Sequence, residues 1–102
     1  MTTNCDLLIT GAAGQLGRTL MTQAKALGLN AVGVDVAEMP LDSREAIETM
    51  VQKVRPSFVM HCGAITNVDG CEAEPLVAYR INGMATAWVA EAAARVDAGM
   101  VY

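Results

Sequence analysis

Paired cysteines, histidine clusters and concentrated positive charge are what this sequence lacks. One His and three Cys, none in a C-x-x-C or similar spacing, leave no set of zinc ligands to assemble. An odd cysteine count makes a poor disulfide framework, so a reducing, cytoplasmic setting is expected. Seven Lys and Arg against eleven Asp and Glu give a formal net charge of -4, with no basic cluster. That removes the attraction on which nucleic-acid and anionic-membrane binding depend, and neither is an expected partner. The longest apolar runs, such as residues 5–9 and 58–60, fall far short of the roughly 20 residues of a membrane span, and no basic-then-apolar leader precedes the first. What is present is apolar: 53% of 102 residues are hydrophobic and 18% charged. That suits one unit over residues 1–102 with one core, and excludes both two independent domains and a disordered tail.

Hydrophobic periodicity divides the chain into alternating elements. Residues 5–10, Cys-Asp-Leu-Leu-Ile-Thr, form a short apolar run stopped by glycine, as in a strand buried on both faces. Leu16, Leu20, Ala24 and Leu27 then recur at helical spacing, with Gly28 as the stop. A second strand over 31–34 ends at Asp35. After a loop containing Pro40, either Asp42 or Ser43 caps a helix bearing Ala46, Ile47, Met50, Val51 and Val54 on one face, and Pro56 ends it. Residues 58–61 make a third strand, and 63–75 a polar loop. A long helix over about 75–96 turns Ile81, Met84, Ala85, Trp88, Val89 and Ala92 inward, and residue 100 begins a fourth strand. Strands alternating with helices of this length imply right-handed crossovers and a parallel sheet. The expected fold is α/β, a Rossmann-type parallel sheet of four strands in the order 2-1-3-4 with helices on both faces. In that order the first helix lies on one face and the other two on the opposite one, so one face is half bare.

The sharpest local signal is Thr10-Gly11-Ala12-Ala13-Gly14-Gln15-Leu16-Gly17, between the first strand and the first helix. Gly11 suits a tight turn of positive φ, Gly14 lets backbone approach a pyrophosphate, and Gly17 lets the helix sit close. Free N–H groups at the helix start, at its positive dipole end, then face the phosphates. A glycine-rich turn alone is also met as plain strand-to-helix punctuation. Here it is followed, 18 residues after Gly17, by Asp35 at the end of the second strand, where a carboxylate accepts the hydroxyls of an adenosine ribose. The combination points to a dinucleotide. Asp35 repels a 2′-phosphate, which favours NAD(H) over NADP(H), while Arg44 is the cation that keeps NADP(H) open.

The spacing G-x-x-G-x-x-G after Thr10 resembles the extended short-chain dehydrogenase/reductase family. So does Leu41-Asp42-Ser43, similar to the family's adenine-side segment, and so does Met60-His61-Cys62-Gly63-Ala64, similar to its third-strand motif. Ala64-Ile65-Thr66-Asn67-Val68-Asp69, then Cys71-Glu72-Ala73-Glu74-Pro75 and Tyr79-Arg80-Ile81-Asn82, resemble the dTDP-4-dehydrorhamnose reductase subgroup. The resemblance implies hydride transfer from NAD(P)H to C4 of dTDP-4-dehydro-L-rhamnose. It also implies that Gly14, Gln15 and Leu16 contact the pyrophosphate, Asp35 the ribose, Asp42 and Ser43 the adenine, and Ala64, Ile65 and Thr66 the middle of the cofactor. Asn82 resembles a helix Asn near the family's active site, or is a polar residue satisfying backbone beside Gly83. His61-Cys62 replaces the commoner Asn-Ala and also resembles the non-catalytic regulatory β subunit of methionine adenosyltransferase. Other nucleotide-sugar epimerases and dehydratases share the glycine turn but match residues 64–75 less well. The family's catalytic Tyr-x-x-x-Lys has no counterpart here, since Tyr79 is followed four residues on by Gly83. The expectation is the amino-terminal, cofactor-binding part of a longer protein, or a fragment that self-associates to cover its bare sheet face.

Overall fold

A computed structural model describes residues 5–63 and 75–102, with the side chains of 75–79 and 81 left aside. The elements run β1 (Cys5–Thr10), α1 (Gln15–Ala26), β2 (Ala31–Val34), α2 (Arg44–Val54), β3 (Pro56–His61), α3 (Pro75–Arg95) and β4 (Gly99–Val101). The strands form one sheet in the order β2-β1-β3-β4. Every pairing is parallel, with Leu8 opposite Val32 and Val59, and Val59 opposite Met100. The expected sheet order therefore stands, and it brings the carboxyl ends of β1, β2 and β3 side by side.

Alternation along the strands sorts the core into two faces. Leu8, Val34 and Val59 join Ile47, Val51 and Val54 of α2 and Ala85, Val89, Ala92 and Ala93 of α3 in one buried cluster. Ile9, equally inaccessible, points to the other face, where α1 packs on β1 and β2. Two ion pairs, Arg44 to Glu91 at 2.8 Å and Arg95 to Glu48 at 2.9 Å, tie the outer surfaces of α2 and α3 together, and a third, Arg44 to Glu48 at 3.2 Å, lies within α2. Exposed pairs of this kind contribute about 0.2–1 kcal/mol each.

Several boundaries and faces differ from expectation, each for a local reason. The buried stripe of α1 runs through Gly17 and Ala24, while Leu16 and Leu27 are 61% and 72% exposed. A glycine marks the inward face, so hydrophobicity alone shifts the stripe by one residue. Met84 is 43% exposed, while Trp88 is half-buried and packs against the core as expected, and Ala93 is buried beside Ala92. Pro56 does not merely stop α2. Arg55, at φ 48°, caps the helix by donating to the Val51 carbonyl, and Pro56 then opens β3 opposite Cys5. A first strand position tolerates the missing N–H.

On the α1 side of the sheet, α1 packs on β1 and β2. Phe58 is 50% and Val101 51% exposed there, and the Phe58 ring lies across Gly99, whose missing Cβ leaves it room.

Candidate functional site

The site grows from the end of β1. Gly11 takes φ +66°, and a Cβ on it would stand 2.8 Å from the Cα and N of Gly63. Only glycine brings the two backbones this close. The turn then closes through bonds from the Gly14 N–H to the Gly11 carbonyl at 3.0 Å and from the Ala12 N–H to the Val34 carbonyl at 3.2 Å. A Cβ on Gly17 would collide with the Gly11 carbonyl oxygen, so α1 is seated on the turn itself.

Asp35 holds the turn from the β2 side. The Ala13 N–H donates to its two carboxylate oxygens at 3.0 and 3.3 Å. Its own N–H donates to Glu38 Oε1 at 2.8 Å, and its carbonyl accepts from Glu38 and Met39 at 3.0 and 2.8 Å. This tight loop folds Met39 and Leu41 into the interior at 1% and 5% exposure. On the β3 side, buried Thr10 is the link. Its Oγ1 accepts from the Gly63 N–H at 2.9 Å and lies 2.7 Å from His61 Nδ1. Burial holds the imidazole below its ordinary pKa, so it is neutral at pH 7 and serves the fold as a hydrogen-bonded side chain. Burial likewise pushes the Cys62 thiol up.

Together these segments line a cleft of about 210 Å³ formed by Thr10, Gly11, Gly14, Val34, Asp35, Val36, Met39, Leu41, Cys62 and Gly63. It lies at the carboxyl ends of β1, β2 and β3, where the strand order reverses, as ligand clefts of open parallel sheets do. Of the residues expected from sequence, Gly11, Gly14 and Asp35 meet at this cleft. Gln15 and Leu16 stand exposed at the start of α1, and Gly17 is buried beneath it. Asp42 and Ser43 do not line the cleft: Asp42 is exposed, and the Ser43 hydroxyl caps α2 by accepting the Ala46 N–H at 3.1 Å. Ala64, Ile65 and Thr66 lie outside the described residues. Thr10, Cys62 and Gly63 of the two family-like motifs also line it, and so do Val34, Val36, Met39 and Leu41, which no motif marks. The one signal for Met39 and Leu41 was two large apolar side chains flanking Pro40 in a loop too short for an element.

The two described helix starts with assigned caps contrast in charge. α2 has the Ser43 cap and Glu45 in its first turn, whereas α1 has Gly14 as N-cap, no side-chain cap and no acidic residue in its first turn. The α1 start thus keeps its positive dipole end open to an outside anion. A cleft with the Asp35 carboxylate on one side and an open helix start on the other fits a dinucleotide. At about 210 Å³ it is smaller than the roughly 300–1,000 Å³ of a whole small-molecule site, and so suits one end of such a ligand. Among the described residues no three His, Cys, Asp or Glu converge as metal ligands, and no helix is long and apolar enough to cross a membrane.

Comparison with known proteins agrees with this architecture. A family model, the RmlD substrate binding domain, matches residues 5–102. The chain belongs to this family. As an RmlD-type chain it is 33% identical over 96 residues to dTDP-4-dehydrorhamnose reductase of Mycolicibacterium smegmatis, covering 94% of this chain and 29% of that protein. A solved dTDP-4-dehydrorhamnose reductase from Bacillus anthracis, in complex with NADP, superposes with a TM-score of 0.84 at 32% identity, covering 100% of this chain and 36% of that one. The methionine adenosyltransferase 2 subunit beta of Xenopus laevis is 29% identical over 102 residues, covering 93% of this chain and 30% of that protein. The chain spans about a third of the length of the relatives it matches.

Proposed function

We propose that this chain is the NAD(P)(H)-binding part of a nucleotide-sugar reductase of the dTDP-4-dehydrorhamnose reductase type. The observation that carries the reading is the cleft itself: Asp35 tied to the glycine turn beside a helix start with no side-chain cap. Asp35 would take the adenosine ribose, and the N–H groups of Gln15 and Leu16 the pyrophosphate. A bound nicotinamide would supply the hydride, and this chain's residues bind and orient the carrier. Ala64, Ile65 and Thr66 would take the central contacts that the family resemblance implies, and Asp42 and Ser43, outside the cleft as it stands, would meet the adenine at its edge. The reduction of dTDP-4-dehydro-L-rhamnose is the activity of the whole reductase, to which this segment brings the cofactor.

Titration of NADH against the chain, followed by its fluorescence, tests the reading. Binding in the micromolar to low millimolar range is expected, and Asp35→Ala should weaken it about tenfold or more, since hydrogen bonds to a charged group contribute about 1.5–3 kcal/mol. No binding at several millimolar, or an unaffected variant, would sink the ribose assignment.

His61-Cys62 and the similarity to the Xenopus laevis subunit favour one second reading, a non-catalytic regulatory subunit on the same fold. Nicotinamide turnover by the full-length protein with a nucleotide-sugar ketone separates the two. The two described cysteines are free, which suits the reducing cytoplasm. The bare face around Phe58 and Val101 is read as covered by a second copy or by the remaining part of a longer protein. Size-exclusion chromatography should show self-association, or a fluorescent hydrophobic dye should bind; a monomer that takes up no dye would refute this.

A further inference from the structure

Gly33 lies inside β2, in register with Ile9 of β1, and so shares the α1 face of the sheet with it. A glycine in a strand interior weakens the strand, and it often marks a place where another backbone comes close. Its own backbone is ordinary: among the described glycines only Gly11 and Gly28 take positive φ, so a residue with a side chain could adopt the conformation. Space is what this glycine supplies. A Cβ on it would stand 2.6 Å from Ala12 Cβ, 3.1 Å from Met21 Sδ and 3.4 Å from Met21 Cε. Met21, on α1, ends in a flexible thioether that can turn aside. Ala12 Cβ is bonded to the backbone of the glycine turn and moves only if the turn moves.

The two residues after Gly33 show what such a movement would undo. The Val34 carbonyl accepts the Ala12 N–H at 3.2 Å, and the Asp35 carboxylate accepts the Ala13 N–H at 3.0 and 3.3 Å. Over Gly33, Val34 and Asp35 the strand therefore meets the turn three times in succession, first by packing and then by hydrogen bonds. The packing contact sets how close the turn lies to β2. It thereby sets the spacing between the Asp35 carboxylate and the open start of α1, because that start, at Gly14, belongs to the same turn. A ligand held at ribose and pyrophosphate together needs this spacing to within about 0.5 Å.

We propose that Gly33 is a positioning residue of the dinucleotide cleft: its missing side chain seats Ala12 and so fixes the distance between the ribose carboxylate and the pyrophosphate-binding helix start. The inference rests on the dinucleotide reading above. Gly33 is not among the residues lining the cleft, and it acts through Ala12.

The experiment places Gly33→Ala in three backgrounds, wild type, Ala12→Gly and Met21→Ala, and titrates NADH against each protein and its parent at a temperature where circular dichroism shows both folded. In the wild-type background the affinity should fall about tenfold, or about 1.4 kcal/mol. In the Met21→Ala background it should fall as far. In the Ala12→Gly background, where the colliding atom is gone, it should fall no more than about twofold, the non-additivity expected of residues in contact. A glycine that served stability alone would leave the affinity of folded protein untouched, so unchanged NADH binding by Gly33→Ala would overturn the proposal. A full loss in the Ala12→Gly background, or recovery in the Met21→Ala one, would overturn it too, since the effect would not run through the turn. These results leave the dinucleotide reading standing. A wild type that binds no NADH at several millimolar overturns that reading and this proposal with it. If Gly33→Ala does not fold in the wild-type background, the Ala12→Gly background carries the test: there it should fold and bind NADH close to its parent, and failure in either refutes the proposal.

Discussion

Gly17→Ala is expected to lose about 3 kcal/mol of stability or more, and dinucleotide uptake with it. The added Cβ would collide with the Gly11 carbonyl oxygen and stand 2.7 Å from Ala12 Cα and 2.8 Å from the Gly11 carbonyl carbon. All three are backbone atoms of a turn fixed by its own hydrogen bonds, so no side chain can rotate away. Overpacking in a well-packed interior costs about 1–3 kcal/mol, and rigid partners place this site at or beyond the upper end. The better helix propensity of alanine returns about 1 kcal/mol at most. Either α1 lifts from the turn or the turn opens, and both move the helix start away from the cleft. Two other glycines calibrate the measurement. A Cβ on Gly83, in the exposed face of α3, meets nothing within 4 Å, so Gly83→Ala should gain about 0.5–1 kcal/mol. Gly28 also has open space but sits at φ +74°, so Gly28→Ala should lose about 1–2 kcal/mol. Urea unfolding of the three variants should give the order Gly83→Ala, wild type, Gly28→Ala, Gly17→Ala. A Gly17→Ala protein as stable as the wild type would mean that α1 does not rest on the turn.

How far the sequence discloses this molecule depends on whether the signal is local. The strands read clearly because each is a short apolar run closed by glycine, proline or a charged residue, and parallel order follows from the helices between them. Gly11, Gly14 and Asp35 read clearly for the same reason: the glycines are three residues apart and the acid closes the next strand. Contacts distant in sequence do not read. Nothing local tells that Gly11 abuts Gly63, or that Thr10 meets His61 across 51 positions. Met39 and Leu41 escape because periodicity assigns loop residues no face, yet the Asp35 turn folds both inward. Leu16 misleads in the opposite direction. It fits a helical stripe, but the inward position belongs to its neighbour Gly17, leaving Leu16 in solvent at the helix start where the resemblance places a pyrophosphate.

The second large effect is expected at Thr10, where valine keeps the shape and removes the hydroxyl. Thr10 is 1% exposed, and its Oγ1 accepts the Gly63 N–H at 2.9 Å. The same oxygen shares a hydrogen bond with His61 Nδ1, 2.7 Å away, as donor or as acceptor according to the imidazole tautomer. Thr10→Val leaves the Gly63 N–H and Nδ1 without this partner, at about 1–3 kcal/mol for each unsatisfied buried group. Gly63 and His61 are half-buried, which sets the sum near 2–3 kcal/mol. Thr10→Ser keeps both bonds and loses one methyl group, so it should cost about 1 kcal/mol or less. The pair of variants isolates the hydroxyl, and equal stability of the two at pH 8 would refute its role. Acidity provides an independent readout. Burial lowers the folded-state pKa of His61 below the ordinary 6.5, so the unfolded chain takes up a proton first. The His61 contribution to stability is therefore complete above about pH 7.5, and it drains as the pH falls through 6.5 toward the lower folded value. Burial, which Thr10→Val leaves in place, is what lowers the His61 pKa, so the variant should keep a folded pKa below 6.5 and the same acid-side loss. Proton NMR of the single imidazole reads that shift directly. Because the Thr10 hydroxyl also holds Gly63 against Gly11, the same variant should weaken NADH binding severalfold at pH 8, where the histidine is neutral in both proteins and only the missing bond differs.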